Sequence, residues 1–408
     1  MKNSFEKCRM DENNLKWENA ISRVVDLYHR GDDIRSPFAR DYNRILHSPA
    51  YRRLKHKTQV FFATTNDHVC TRIEHVNHVT SVSYTISKYL GLNTELTNAI
   101  AIGHDLGHTP FGHAGETILS KITDEKFGIK FWHEKNSLRI IDKTETLEDP
   151  WGSQRNLNLI YAIRDGIVCH CGEVDENALF PRDEFVNLEV ITKANEFRPY
   201  TWEGCIVKIA DKISFLGRDI EDALALNILD RSQLDELNCI IKQTGRTNTI
   251  EEINNTILMH DFIIDLCNNS SPGCGIMISE SSLEIMNLLK AFNYKNIYLH
   301  KRLDTYKEYA SLIINSIFKV LDNFFDGQKT LKVIKKHKEI YPVLTKTFSE
   351  WLLKFGEPNE RESKTNIYKN KILYNTFEYD DYVLAAVDFI SGMTDLFALK
   401  IFQELTTF

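Results

Sequence analysis

The chain has 408 residues, 42% of them hydrophobic and 26% charged, so it can bury a substantial core as one large domain or as a core with an appended region. Its formal net charge of −7 argues against broad, non-specific binding of nucleic acid, which needs a basic face. No apolar run approaches the roughly 18–20 residues of a membrane span, and residues 1–20 lack the apolar stretch of a secretory signal, so we expect a cytoplasmic protein that does not enter a membrane.

The eight cysteines are scattered along the chain, and only Cys169 and Cys171 lie close together, separated by one residue. This spacing is neither a disulfide framework nor the paired C-x2-C units of a zinc ribbon. We therefore expect reduced thiols, most of them buried.

The first elements in chain order are a hairpin and two helices. Residues 58–69 contain Gln-Val-Phe-Phe followed by Thr-Thr-Asn-Asp, which suits a short hairpin with a polar turn. Residues 75–90 place apolar side chains at helical spacing, and Gly91 supplies a stop signal. Residues 95–106 predict a second, largely buried helix that breaks near Gly107.

A third helix is predicted over residues 205–224, whose apolar side chains form one stripe. Helical patterns continue beyond this point, with no internal repeat, low-complexity tract or Pro/Gly linker. The predicted fold class is mainly α. We expect an N-terminal segment at residues 1–34, a core at 35–225, and a C-terminal helical region at 226–408 that packs on the core.

Four residues on these predicted helices have metal-binding side chains: His75, the adjacent pair His104 and Asp105, and Asp211. Two imidazoles and two carboxylates suit a first-row divalent metal with open positions for water or a phosphate oxygen. Ligands on separate packed helices make a rigid site. Both aspartates also interrupt apolar stretches, where a carboxylate is costly unless it is paired or bound to metal. A helix cap or a buried ion pair is the alternative for each residue taken alone.

A second set of titratable residues follows the first histidine–aspartate pair. It comprises His108, His113, Glu116, His133 and Glu134. Histidines serve as general acids or bases near neutral pH, which suits hydrolysis. For His108, a hydrogen bond to the backbone at the helix end is the alternative. The string HEKNS at 133–137 lacks the second histidine of the H-E-x-x-H zinc-protease motif.

The densest basic cluster consists of Arg52, Arg53, Lys55 and Lys57. A local cluster of this kind can attract phosphate groups even on an acidic protein. A solvated surface face is the alternative interpretation.

Three strings around these residues resemble the HD superfamily and, within it, the bacterial dGTPase-like branch. They are TRIEH at 71–75, HDLGHTPFGHAGE at 104–116 and ADKISFLGRD at 210–219. Two further strings resemble the N-terminal and C-terminal signatures of that branch: RDYNRILHSPAYRRLKHKTQVF at 40–61 and DFISGMTDLFALK at 388–400. A single His-Asp pair is a weak signal, but this ordered series over much of the chain is specific.

The resemblance implies an HD-domain helical core at 35–225 and hydrolysis of a deoxynucleoside triphosphate to deoxynucleoside and inorganic triphosphate, with dGTP as a substrate. In the family, the positions that match the four metal-binding side chains hold one divalent metal per active site. Such an ion polarises phosphoryl oxygens and stabilises charge in the transition state. The mixed ligand set suits Mn²⁺, Mg²⁺, Fe²⁺, Co²⁺ or Zn²⁺.

The resemblance also implies catalytic roles. His113 and Glu116 match catalytic positions of bacterial members, and we expect them to act as a dyad. His133 matches a histidine near the scissile phosphate in the vertebrate SAM-and-HD-domain dNTPase, and we expect it to assist the leaving oxygen. His108 and Glu134 complete the candidate catalytic set.

Five positions match substrate contacts of the family. Arg72 and Lys212 match residues that contact the nucleotide, and both suit a triphosphate. Gln59 and Asp219 match residues that recognise the sugar 3′-hydroxyl. At Phe215 the family has a tyrosine that packs on the sugar. Discrimination between deoxyribose and ribose weakens if it depends on the hydroxyl that Phe215 lacks. It survives if the aromatic ring excludes the 2′-hydroxyl by steric contact.

Family members form homo-oligomers, either tetramers or hexamers, and many are activated by a dNTP bound at a separate allosteric site; the resemblance implies both properties. Two alternatives stay open. One is a different HD phosphohydrolase, which acts on nucleoside monophosphates, cyclic nucleotides or alarmones. The other is a non-catalytic HD protein that senses nucleotides or binds single-stranded DNA. The intact candidate metal set and catalytic dyad favour an enzyme.

Overall fold

The structure is a computed structural model that describes residues 2–27, 33–62, 68–171, 177–242, 255–357 and 367–407. Within these residues, α-helices dominate and two short strands form the only sheet. The prediction of a mainly α fold is therefore confirmed. All eight cysteines are free thiols, and five of them are buried, as the sequence predicts.

The helices and strands are distributed over all the described segments of the chain. In chain order they are α1 (Trp17–Ile21), α2 (Pro37–His47), α3 (Pro49–Arg53), α4 (Arg72–Leu90), α5 (Thr94–Gly103), α6 (Gly112–Phe127), α7 (His133–Arg139), β1 (Thr146–Glu148), β2 (Gln154–Asn156), α8 (Tyr161–Val168), α9 (Trp202–Ala225), α10 (Arg231–Lys242), α11 (Asn255–Asn269), α12 (Glu280–Asn293), α13 (Lys301–Asn323), α14 (Thr330–Lys336), α15 (Pro342–Phe355), α16 (Tyr379–Ser391) and α17 (Asp395–Thr406).

The chain divides into two compact units, each built from three separate segments. The first unit comprises Met1–Asn43, Gln59–His104 and Leu159–Thr305. The second unit comprises Arg44–Thr58, Asp105–Asn158 and Tyr306–Phe408. The boundaries expected near residues 34 and 225 stay a prediction.

The core of the first unit is a group of packed helices. Helix α4 packs against α5 and α9, and α8 packs against both α5 and α9. Helices α11 and α12 also pack on α9. Helix α9 presents buried apolar side chains such as Ile206, Ile213 and Leu216 to these neighbours, which is the stripe that the sequence predicts. The consecutive helices α4 and α5 thus lie side by side with α9, which is more than 90 residues further along the chain.

Helix α4 shows why the predicted helices form. It begins after Thr71, whose side chain forms a capping box with that of Glu74. The apolar side chains that predicted it are all buried: Val76, Val79, Val82 and Ile86. The helix ends at Gly91, which has a φ of 84°, in the left-handed region that glycine adopts without strain.

Helix α5 ends earlier than its apolar pattern predicts. It begins after Asn93, whose side chain accepts hydrogen bonds from two N–H groups of the first turn. Its last residue is Gly103, and His104 caps it with helical dihedral angles. The chain then turns, with the His108 N–H bonded to the Asp105 carbonyl oxygen at 3.3 Å. The histidine–aspartate pair therefore follows the helix, whereas the sequence analysis placed the pair within it.

The second unit contains the sheet and most of the C-terminal helices. Strands β1 and β2 are antiparallel, with Leu147 opposite Arg155. In the connecting turn, the Asp149 carboxylate accepts the N–H groups of Trp151 and Ser153. The hairpin was predicted at residues 58–69, where the turn at 63–67 lies outside the described residues; the strands that the structure describes are at 146–156.

The C-terminal helices predicted from the sequence are confirmed. Helix α6 packs against α16, and α15 packs against α16 and α17. Among the described residues, no single helix has both the length and the apolarity to cross a membrane. Helices α16 and α17 meet those two criteria only when taken together, and their axes are bent by 118°.

Candidate active site

Three of the four predicted metal ligands come together in the first unit. His75 lies on α4, His104 directly follows α5, and Asp211 lies on α9. The His75 Nε2 atom lies 3.0 Å from Asp211 Oδ1, and the His104 Nε2 atom lies 3.8 Å from the same oxygen. One ligand atom of each residue lies within 4.8 Å of those of the other two. The packing of α4, α5 and α9 therefore creates this cluster.

The donor atoms of the cluster fit a divalent metal. An ion with bonds of about 2.1 Å holds neighbouring ligand atoms about 3–3.4 Å apart, which is close to the spacing found here. The His104 Nδ1–H group donates a hydrogen bond of 2.7 Å to the Ala101 carbonyl oxygen. This bond leaves the lone pair on Nε2, the atom that faces Asp211, in the usual arrangement of a metal-binding histidine.

His170 is a buried histidine that the sequence analysis did not single out. Its ring lies 4.9 Å from the His104 ring, edge to face at 82°. Its Nδ1–H group donates to the Ile167 carbonyl oxygen at 2.6 Å, which is the same anchoring that His104 has. A histidine within the apolar string IVCHC at 167–171 was the available signal.

Two of the predicted substrate-binding residues meet at the start of α4. The Arg72 guanidinium is buried and donates a hydrogen bond of 3.2 Å to the backbone carbonyl oxygen of Gln59. The side-chain oxygen of Gln59 is buried and has no hydrogen-bond partner within the described part of the chain. A buried acceptor without a partner is costly, so this oxygen is suited to a donor from a ligand.

The other three predicted substrate-binding residues lie on α9, at positions 212, 215 and 219. Lys212 and Asp219 are buried, whereas Phe215 is partly exposed. The Tyr298 hydroxyl donates a hydrogen bond to the Asp219 carboxylate. Burial, together with the charge of Asp219, raises the pKa of Tyr298 well above its usual value. Sequence reasoning missed Tyr298 because it belongs to no motif and lies 79 residues from its partner.

The fourth predicted metal ligand, Asp105, begins the second unit and contacts a predicted catalytic histidine. Its Oδ1 atom lies 3.1 Å from the His108 Nε2 atom. The His108 ring stacks on the His133 ring, with centroids 4.0 Å apart and planes at 19°. A Cβ atom at Gly107 would lie 2.1 Å from the His133 carbonyl oxygen, so only glycine permits α7 to approach this closely.

Glu116 is shared by two histidines. Its carboxylate lies 3.1 Å from His113 Nδ1 and 3.2 Å from His133 Nδ1, and it also accepts the His133 backbone N–H at 2.9 Å. The Glu134 carboxylate lies 3.5 Å from His133 Nδ1. The His113 side chain is 64% exposed and that of His133 only 15%, so solvent reaches the cluster from the His113 side. The second unit thus brings all the predicted catalytic side chains together.

The charges in this cluster favour an ionised pair. Burial opposes ionisation of Glu116, but the hydrogen bonds from His113 and His133 outweigh it and hold the pKa of Glu116 well below its usual range. Burial likewise opposes protonation of His133, but the charge of Glu134 and the bond to Glu116 outweigh it and raise the pKa of His133 to about 10. His133 is therefore an imidazolium at neutral pH.

The basic cluster at 52–57 does not form one exposed patch. Arg53 pairs with Glu145 at 2.8 Å, and Lys57 is buried, with its ammonium group donating to backbone carbonyl oxygens. Arg52 and Lys55 are exposed. The alternative of a solvated face therefore holds for only part of the cluster.

Comparison of the sequence with known proteins shows which family the chain belongs to. The HD domain model matches residues 72–216. A deoxyguanosinetriphosphate triphosphohydrolase-like protein of Caldanaerobacter subterraneus subsp. tengcongensis is 31% identical over 376 residues, which cover 91% of this chain and 86% of the relative. Proteins of the same name from Clostridium tetani and Rickettsia prowazekii are each 30% identical, covering 98% and 96% of this chain and 94% and 96% of the relatives. The chain therefore belongs to the deoxyguanosinetriphosphate triphosphohydrolase-like family of HD-domain phosphohydrolases.

Proposed function

We propose that this chain is a metal-dependent dNTP triphosphohydrolase, which converts a deoxynucleoside triphosphate and water to deoxynucleoside and inorganic triphosphate. The observation that carries the proposal is the approach of His75, His104 and Asp211 to within 4.8 Å of one another on three packed helical elements. The name shared by the relatives supports this reaction and makes dGTP the first substrate to test.

The proposed metal ligands are His75, His104 and Asp211, with Asp105, the residue that follows His104 in the chain, as the fourth. A divalent ion bound there polarises phosphoryl oxygens and stabilises the charge that develops on them. Mixed imidazole and carboxylate ligation suits Mn²⁺, Mg²⁺, Fe²⁺, Co²⁺ or Zn²⁺.

The side chains of the first unit are proposed to bind the substrate. The cations of Arg72 and Lys212 are suited to the triphosphate, because a guanidinium binds two phosphate oxygens at once. The sugar 3′-hydroxyl is proposed to donate its one hydrogen bond either to the partnerless oxygen of Gln59 or to the Asp219 carboxylate. Tyr298 holds Asp219 in place through its hydroxyl. Phe215 lacks the hydroxyl of the family's tyrosine, but Tyr298 supplies another hydroxyl beside the proposed sugar-binding residue Asp219.

The side chains of the second unit are proposed to move protons. Water attacks the α-phosphorus, so that a new P–O bond forms while the bond from phosphorus to the 5′-oxygen breaks. His113 takes the proton that the water loses, with Glu116 orienting its imidazole as the other half of the dyad, and the His133 imidazolium gives a proton to the departing 5′-oxygen. Positioned acid–base groups each contribute about 10²–10⁴-fold to such rates.

The family resemblance adds three further proposals: a cytoplasmic location, assembly into a homo-oligomer, and activation by a dNTP at a separate site. Activation is tested by supplying the dNTPs singly and in mixtures. If one dNTP activates without being the substrate, its addition raises the hydrolysis rate of another dNTP.

The deciding experiment is a product assay. Purified protein is incubated with each of the four dNTPs, singly and in mixtures, with each candidate metal, and the products are separated by ion-exchange chromatography. We expect deoxynucleoside and inorganic triphosphate in equal amounts. Release of pyrophosphate or orthophosphate instead would assign the chain to another class of HD phosphohydrolase, and metal-independent nucleotide binding without products would make it a sensor.

A further inference from the structure

The N-terminal and C-terminal motifs of the chain both bond to the loop that precedes α6. Asp395, the first residue of α17, is 5% exposed. Its Oδ2 atom accepts the Thr58 N–H at 2.9 Å and the Thr58 hydroxyl at 2.5 Å. Its Oδ1 atom accepts the Phe111 N–H at 2.8 Å. One carboxylate therefore receives three hydrogen bonds from two segments that are distant in sequence.

Lys57 bonds to the other end of the same loop. Its side chain is buried, and its ammonium group donates to the His108 carbonyl oxygen and, at 3.2 Å, to the Ser391 carbonyl oxygen. The loop of residues 108–112 is thus held at its first residue by Lys57 and near its last residue by Asp395.

The loop needs such support because its backbone is strained. Phe111 has a φ of 65°, in the left-handed region that residues with a Cβ atom rarely adopt. Strained residues of this kind persist where the surrounding structure holds them. Phe111 is the residue before α6, which carries His113 and Glu116 in its first two turns.

We propose that Asp395, together with Lys57, is a positioning residue that fixes the 108–112 loop and so sets the direction in which α6 presents His113 and Glu116. This inference rests on the proposed function for its effect on catalysis, but its structural part does not. It assigns a role to Lys57, Thr58 and Asp395, which are not among the proposed metal ligands or substrate-binding residues.

The bonding pattern explains why a carboxylate stands at this position. Burial raises the pKa of Asp395 above its usual value, and the bonds from Thr58 and Phe111 and the charge of Lys57 offset only part of that rise. All three bonds need acceptor lone pairs, which an ionised carboxylate supplies on both oxygens. An asparagine has only one side-chain oxygen, so its NH₂ group would face either the Thr58 N–H or the Phe111 N–H and could not accept that hydrogen bond.

The test compares Asp395→Asn with a matched control, Asp388→Asn. Asp388 lies in the same C-terminal string and is 4% exposed, but it bonds to Arg139 and Tyr374 and not to the loop. Hydrogen exchange of the 105–115 peptide, kcat and KM for dGTP, and metal titration are measured for both variants. In the Asp395→Asn variant we expect exchange about tenfold faster than in the control, and kcat lower by about 10–100-fold with KM within about threefold. Metal affinity stays that of the wild type.

Equal exchange of the 105–115 peptide in the two variants, or a kcat of the Asp395→Asn variant equal to that of the wild type, overturns the inference. If the wild-type protein hydrolyses no dNTP, the proposed function fails, and the exchange comparison alone decides the role of Asp395. If Asp395→Asn does not fold, Thr58→Val decides instead, because it removes only the hydroxyl bond. That variant should show a smaller increase in exchange, about two- to fivefold, and an unchanged exchange rate would contradict the inference.

Discussion

Each unit of the molecule holds a carboxylate between two histidines, but the imidazoles are anchored differently. In the first unit, His104 donates its Nδ1–H to a backbone carbonyl oxygen and turns Nε2 toward Asp211. In the second unit, His113 and His133 turn Nδ1 toward Glu116, so that the carboxylate itself is the anchor. Similar atoms at similar distances are thus arranged for two different tasks.

The anchor decides the chemistry of the ring. A backbone carbonyl oxygen accepts a hydrogen bond from one nitrogen of a neutral imidazole. The other nitrogen then keeps its lone pair, with which it can bind a metal. At His133, the neighbouring carboxylates stabilise the protonated ring, which cannot bind a metal but can donate a proton. The comparison therefore predicts that metal binding and proton transfer can be removed separately.

The largest effect is expected from Asp211→Asn. Loss of one negative ligand between two imidazoles should abolish divalent-metal binding and lower kcat by about 10⁴-fold. Metal titration by calorimetry and the product assay measure the two effects. His78→Gln is the control, because His78 lies one turn after His75 on α4 and belongs to no candidate metal group among the described residues. A variant that binds metal like the wild type would contradict the assignment of Asp211.

Glu116→Gln should separate the two tasks. The variant loses the carboxylate that orients His113 and His133 and stabilises the His133 imidazolium, so kcat should fall by about 10²–10³-fold. Metal affinity should not change, because Glu116 is not one of the proposed ligands. Glu125→Gln, an exposed substitution on the same helix, serves as the control and should keep wild-type kcat. A parallel loss of metal affinity in the Glu116→Gln variant would mean that the second cluster is a metal site.

The pH dependence should report the His133 imidazolium. Because its pKa is raised to about 10, kcat should be about tenfold lower at pH 11 than at pH 8. The raised pKa also gives a stability contribution that is fully present below the unfolded value of 6.5 and is lost as pH rises through about 10. Kinetics and urea unfolding of the wild type and His133→Gln across this range measure both effects. A wild-type inflection near pH 6.5 would show that His133 is neutral in the working enzyme.

The smallest effects are expected at the proposed sugar site. Tyr298→Phe removes the hydroxyl bonded to Asp219 and should raise KM for dGTP about fivefold. Phe215→Tyr adds a hydroxyl at a partly exposed position and should change kcat/KM for dGTP by less than about twofold. Both are measured with dGTP and GTP as competing substrates. A larger effect from Phe215→Tyr than from Tyr298→Phe would mean that the hydroxyl lost at position 215 governs sugar recognition.

Local sequence patterns were sufficient for the helices and for part of the candidate site. The stripe of α4 and its capping box involve residues at most four apart, and so does the i,i+3 spacing that brings His113 to Glu116. Such short-range relations follow from helix geometry alone. The end of α5 was predicted less well, because the apolar pattern continues past Gly103 while the chain turns.

The sequence by itself determined the mainly α fold, the resemblance to the HD family and the residues proposed to bind metal and move protons, because helical periodicity and motif spacing are local properties. Only the tertiary structure decided which nitrogen of each imidazole faces a carboxylate. It also decided that His170 lies beside His104, that Tyr298 bonds to Asp219, and that Asp395 bonds to the loop before α6. Asp395 lies 284 residues from the loop it holds. Contacts over such separations depend on how the elements pack, and no local pattern encodes that packing.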